Sequence, residues 1–129
     1  MSIFSKLAVL FLLLSCSCNR SKPLEQALKP VVVTDTVFGD TDDPAIWINR
    51  GYPDSSLVLG TDKDKINGGV YVFTLNGKID SSRSKLGLKR VNNIDIAYQF
   101  SFKGNIIDIA VATERDEQSI RVFSLPSME

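Results

Sequence analysis

From Val31 onward the chain is a succession of short apolar and β-branched runs broken by turn-forming residues. Runs of this length and composition predict strands rather than helices. The first set covers residues 31–37, 45–48, 56–61 and 70–75, with 79–84 able to return as an edge strand. Between them lie an acidic stretch at Asp40 to Asp43, expected on a turn because clustered carboxylates repel inside a strand, and a turn at Tyr52-Pro53-Asp54-Ser55. A polar loop follows over 62–69, and then Asn76-Gly77, a strong hairpin signal because both residues tolerate positive φ. The second set covers 91–102, 106–113 and 119–125, separated by Lys103-Gly104-Asn105 and a charged loop over 114–118. No helical period exceeds a turn or two beyond the N-terminal segment.

The two sets are copies of one unit. Leu57-Val58-Leu59-Gly60-Thr61-Asp62-Lys63-Asp64 matches Ile109-Ala110-Val111-Ala112-Thr113-Glu114-Arg115-Asp116, and Val72-Phe73-Thr74-Leu75 matches Val122-Phe123-Ser124-Leu125. A repeat of roughly 50 residues with three or four strands per unit is the signature of propeller blades. One blade cannot bury both its faces, so blades stack around an axis. The expected fold is all-β, a β-propeller represented by its first two blades or so. Because the chain ends at Glu129, just after the second unit, it is expected to be the N-terminal part of a longer ring.

The N-terminus differs from the rest. Lys6 precedes an apolar run from Leu7 to Leu14, followed by Ser15-Cys16. A base, a short apolar core and a small residue make an export signal. The run is too short to span a bilayer, which takes about 20 apolar residues. Leu13-Leu14-Ser15-Cys16 resembles a bacterial lipobox, which makes Cys16 the expected lipidation site. Residues 1–15 then read as a lipoprotein signal, 16–30 as a tether with one helical turn over 24–29, and 31–129 as the folded domain. The expected location is the bacterial envelope, anchored to a membrane on its periplasmic or surface face.

Composition narrows the chemistry. Charged residues make up 23% of the chain and Lys+Arg equals Asp+Glu at 15 each, so no basic excess argues for nucleic acid. There is no histidine, which excludes histidine phosphatase chemistry, Ser-His-Asp triads and histidine metal sites from this chain. Both cysteines, Cys16 and Cys18, adjoin the apolar run, so the body has neither a disulfide framework nor a thiolate zinc site.

The repeat aligns charges. Lys63 and Arg115 each follow a strand ending in Thr-acid, so both should lie on the same end of the stacked units. Two bases at one rim repel unless an anion or nearby acids offset them. Phosphate suits the pair, since Arg grips it with two parallel hydrogen bonds and Lys supplies a point charge. The competing reading is a solvated loop neutralised by Asp62, Asp64, Glu114 and Asp116. Asp42-Asp43-Pro44 likewise matches Asn92-Asn93-Ile94, so oxygen donors recur at the start of matching strands. These side chains, with the carbonyls of Pro44 and Ile94, could face one calcium ion, which takes about six to eight oxygens.

In order, Asp-Asp-Pro-Ala-Ile-Trp, Thr-Asp-Lys, Gly-Val-Tyr-Val-Phe-Thr-Leu-Asn-Gly-Lys, Arg-Val-Asn-Asn-Ile-Asp and Asp-Ile-Ala-Val-Ala-Thr-Glu-Arg resemble the N-terminal part of the β-propeller phytases. The resemblance spans Asp40 to about Leu125. It implies a six-bladed ring and calcium-dependent hydrolysis of inositol hexakisphosphate, of the 3-phytase type. It also implies roles: Asp42 as a ligand of a catalytic calcium cluster, Asp43 and the Pro44 and Ile94 carbonyls as calcium ligands on the axis, and Lys63 and Arg115 as the catalytic, phosphate-contacting bases. The family often carries a second base after the first lysine, and here that position is Asp64. Calcium would neutralise phosphate oxygens and activate a water for in-line attack, with no covalent enzyme intermediate. No protein partner is implied. Two other readings stand beside this one: a non-catalytic propeller module binding a ligand or protein through the same rim, and a chain inactive alone because later blades supply the remaining ligands.

Overall fold

The computed structural model describes residues 28–129. The export signal, Cys16 and most of the expected helical turn lie outside the described residues; Leu28 and Lys29 are not helical. The described residues form two antiparallel sheets, as the all-β expectation requires. The first has the order β1 (Thr41–Trp47), β2 (Leu57–Asp62), β3 (Gly69–Thr74) and β4 (Lys85–Leu86). The second has the order β5 (Val91–Phe102), β6 (Asn105–Glu114) and β7 (Ser119–Leu125). Neighbours in sequence are neighbours in space, because short turns join antiparallel strands without crossovers. A 3-10 turn at Pro53–Ser55 links β1 to β2.

The core lies where the sheets face each other. On β2 and β3, Leu59 pairs with Val72 and Thr61 with Val70, which puts these residues on one face. Against them pack Val91 and Ile94 of β5, Ala110 and Ala112 of β6, and Leu125 and Met128. The alanines are small enough to let the second sheet approach closely. Burying Leu59 or Val72 stabilises the pair by about 1.5–3 kcal/mol per side chain. Polar bonds cross the same seam: the Trp47 indole donates to Asp108 Oδ2 at 2.8 Å, and the Ile48 amide donates to the Tyr98 hydroxyl at 2.8 Å.

Three expected elements differ. Residues 31–37 form no strand. Instead the Asp35 amide donates to the Gly77 carbonyl at 2.7 Å, and the Asp35 carboxylate holds Lys78 Nζ at 2.8 Å and the Ile79 amide at 3.0 Å. A side chain, not a ladder, fixes this arm, and Val31 and Val33 stay exposed. Residues 79–84 do not return as an edge strand beyond one bridge, Phe73 to Ile79; the edge strand is the short β4. Asp80 explains this. Its carboxylate accepts from the Ser82 amide and hydroxyl and from Arg83 Nε, a local turn that competes with strand pairing. Those bonds, from Ser82 and then Arg83, bring its pKa down to about 2.

The third difference bears on the site. Asp42 and Asp43 lie inside β1, not on a turn before it. The register of β1 against β2 shifts between Thr41 and Pro44, and that of β5 against β6 shifts between Val91 and Ile94. Each unit thus carries a bulge at the same place, holding Asp42-Asp43 in one and Asn92-Asn93 in the other. A bulge leaves a residue out of the ladder and re-aims side chains, which lets neighbouring acids diverge.

Candidate functional site

The two bulges meet at the seam between β1 and β5. Asp42 Oδ1 lies 3.0 Å from Lys63 Nζ, and its Oδ2 accepts from Asn92 Nδ2 at 3.3 Å. Asp40 adds a second carboxylate 3.7 Å from Lys63. Asp43 Oδ2 accepts from the Ile94 amide at 3.1 Å, so this acid ties the first sheet to the second. Asp42, Asp43, Lys63 and Ile94 are therefore brought together; Pro44 faces Gly60 in the β1–β2 register. Arg115 follows β6 and lines an open cleft of about 500 Å³ with Asn92, Asn93 and Thr113. The bonds to Asp42 hold the Lys63 ammonium above its ordinary pKa, so it stays charged.

Thr61 is the clasp of this seam. Its hydroxyl accepts from the Asp43 amide at 2.9 Å and donates to the Asn92 carbonyl at 2.8 Å. Thr113 repeats half of this, accepting from the Asn93 amide at 3.1 Å. The repeat aligns Thr61 with Thr113 but by itself assigns neither a role. The signal was the recurrence of Thr before acid and base in both units.

Asp62 and Glu114, two of the four acids in the solvated-loop reading, do not pair with Lys63 or Arg115. Asp62 is 1% exposed, and its Oδ1 accepts from the amides of Asp40 and Asp64 at 2.9 Å each. Glu114, expected in a loop, ends β6 at 2% exposure and accepts from the Lys89 amide at 2.8 Å and from Arg121. Both acids are spent on holding incoming chain. Lys63 is instead paired by Asp42 and Asp40, and Arg115 has no ion pair among the described residues.

Glu114 makes stability depend on pH. Burial alone would raise its pKa, but the Lys89 amide and Arg121 outweigh burial and the net shift is downward. A lowered carboxylate pKa contributes stability above the ordinary glutamate range, and that contribution is lost as pH falls through the lowered value. Thermal midpoints should therefore drop on acidification, and Glu114→Gln should flatten the drop while lowering the neutral-pH midpoint. Parallel curves for the two proteins would contradict this.

The donor chemistry suits a hard cation. Two carboxylates, Asp42 and Asp43, stand beside Asn92, whose buried Oδ1 has no hydrogen-bond partner among the described residues. An orphaned oxygen of this kind is costly unless a ligand satisfies it. The set is partial, since no three acidic or thiol side chains converge on one point among the described residues.

Comparison with known families decides the identity. The Phytase family model matches residues 4–128. The chain belongs to the phytase family. A curated relative, the 3-phytase of Bacillus subtilis strain 168, is 36% identical over 86 residues, covering 65% of this chain and 21% of the relative. The chain thus spans about a fifth of that relative's length. The bulges, the threonine clasp and the rim of Asp42, Lys63 and Asn92 are the local architecture of this phytase family member.

Proposed function

We propose that this chain forms the first blades of a β-propeller phytase of the 3-phytase type. In that protein it supplies part of a calcium-dependent site releasing phosphate from inositol hexakisphosphate. One observation carries the reading most: Asp42 is shared between Lys63 of its own unit and Asn92 of the next, so acidic, basic and amide groups share one rim. A scaffold has no need of that combination.

Calcium would be held by Asp42, Asp43 and Asn92 Oδ1, with the Pro44 and Ile94 carbonyls at the same seam. When bound it offsets phosphate charge and lowers the pKa of coordinated water. Arg115, exposed and without an ion pair among the described residues, grips phosphate oxygens through its planar fork. Lys63 supplies a second positive charge, and its bond to Asp42 loosens as an anionic oxygen competes for the ammonium. Thr61 fixes the distance between the two halves by holding the Asp43 amide and the Asn92 carbonyl together. Phosphate release from inositol hexakisphosphate, assayed with calcium and after chelation, tests the proposal. Binding without release would mark a non-catalytic module instead.

A further inference from the structure

The two repeat units are built alike but charged oppositely. In the first, the Lys63 amide donates to the Asp40 carbonyl at 2.9 Å; in the second, the Arg115 amide donates to the Arg90 carbonyl at 3.1 Å. Asp40 and Arg90 therefore hold equivalent places, two residues ahead of each bulge. In the first unit the residues around the base are Asp40, Asp42 and Asp43, and in the second they are Arg90, Asn92 and Asn93. The first half of the rim is thus acidic around its lysine. The second half has lost all three acids and gained a guanidinium.

We propose that Arg90 is a third phosphate-binding base, forming with Arg115 an oxyanion subsite on the second unit's half of the rim. The inference rests on the phosphate reading above and adds a residue to it. Three features place Arg90 there. Its backbone lies between both basic loops: its amide donates to the Asp64 carbonyl at 3.1 Å while its carbonyl receives the Arg115 amide. Its φ of 53° is in the left-handed region, held by those two bonds, which fix where the side chain departs. Its guanidinium lies 3.7 Å from Asp116, the residue after Arg115, so the side chain reaches the turn that carries Arg115.

The competing role for Arg90 is a surface ion pair with Asp116. That contact is 3.7 Å, beyond hydrogen-bond length, between groups a third exposed. Exposed pairs contribute about 0–1 kcal/mol, and a phosphate oxyanion offers the guanidinium two charge-assisted bonds in exchange. The ligand class is a phosphate monoester or free phosphate, and calorimetry with each separates the two sources.

The experiment titrates inorganic phosphate, then inositol hexakisphosphate, into the full chain in calcium-free buffer. Wild type, Arg90→Gln, Arg90→Lys and Arg115→Gln are compared, with thermal midpoints measured alongside. Arg90→Gln should weaken binding about tenfold at an unchanged midpoint. If its midpoint falls, Arg90→Lys decides, because it keeps charge and stem but not the fork: a loss of about threefold or more supports the subsite, and wild-type affinity overturns it. Wild-type affinity in Arg90→Gln with weakened binding in Arg115→Gln overturns the role of Arg90 alone. Wild-type affinity in both overturns the phosphate reading of the two arginines as well, and no binding by the wild type overturns the subsite.

Discussion

Arg115→Ala should lower kcat/KM for inositol hexakisphosphate by about 10²–10³-fold in the protein that carries this chain, the usual effect of removing one donor aimed at developing negative charge. The structure makes this a functional loss and not a folding one. Arg115 is exposed, takes no part in the core and has no ion pair among the described residues. Its backbone is held by the Arg90 carbonyl, which the substitution leaves intact. The thermal midpoint should stay within a degree or so of wild type, since substitutions at such surface sites usually change stability by about 0.5 kcal/mol or less. Lys63→Ala is the instructive contrast. It removes a charge from the phosphate side and also leaves Asp42 and Asp40 uncompensated, so activity should fall while the calcium requirement eases. Unchanged kinetics in both variants would reduce the two bases to surface charge.

The second large effect is expected at Asp43, where stability and metal binding can be separated. Asp43→Ala removes the acceptor for the Ile94 amide and should cost about 1–3 kcal/mol, the desolvation penalty of a part-buried donor left unpaired. Asp43→Asn keeps an oxygen that can accept that bond but removes the charge. It should retain most of the stability while raising the calcium concentration needed for activity about tenfold or more, because ligand charge sets calcium affinity. Denaturant titration and calcium-dependent activity on the same two variants read the two effects apart. If Asp43→Asn leaves the calcium requirement where it was, Asp43 is a structural tie only.

Much of this was legible because the repeat is short in period and strong in pattern. The β-branched runs at 56–61, 70–75, 91–102 and 119–125 give β2, β3, β5 and β7 nearly to the residue. Asp42 and Asn92, aligned by the repeat, are hydrogen-bonded to each other. What the sequence concealed has physical causes. Residues 31–37 have strand composition but are held by one backbone bond and the Asp35 carboxylate, and composition does not reveal whether a strand edge is available to pair with. Asp80 overrode the strand expected over 79–84 through a side-chain turn that competes with backbone pairing. The bulges at Asp42-Asp43 and Asn92-Asn93 were hidden because a one-residue slip leaves no mark on composition, yet they are what let an acidic cluster sit within a strand. Glu114 looked like a solvated loop acid because its partners, the Lys89 amide and Arg121, are distant or lie on the next strand.

The charge asymmetry between the units follows from the same comparison. One backbone plan, with a bulge, a threonine clasp and a base after a buried acid, is used twice. The first copy has carboxylates at the positions around its base; the second has amides and a guanidinium at the matching positions. On the proposed function, these two halves, joined by the Asp42–Asn92 contact, would serve calcium and phosphate together.

The most direct test of this account is release of inorganic phosphate from inositol hexakisphosphate, measured with calcium present and with calcium chelated. The account predicts release that requires calcium, returns when calcium is restored after chelation, and is largely lost in Arg115→Ala. Release that persists under chelation, or that Arg115→Ala leaves at the wild-type rate, would contradict it.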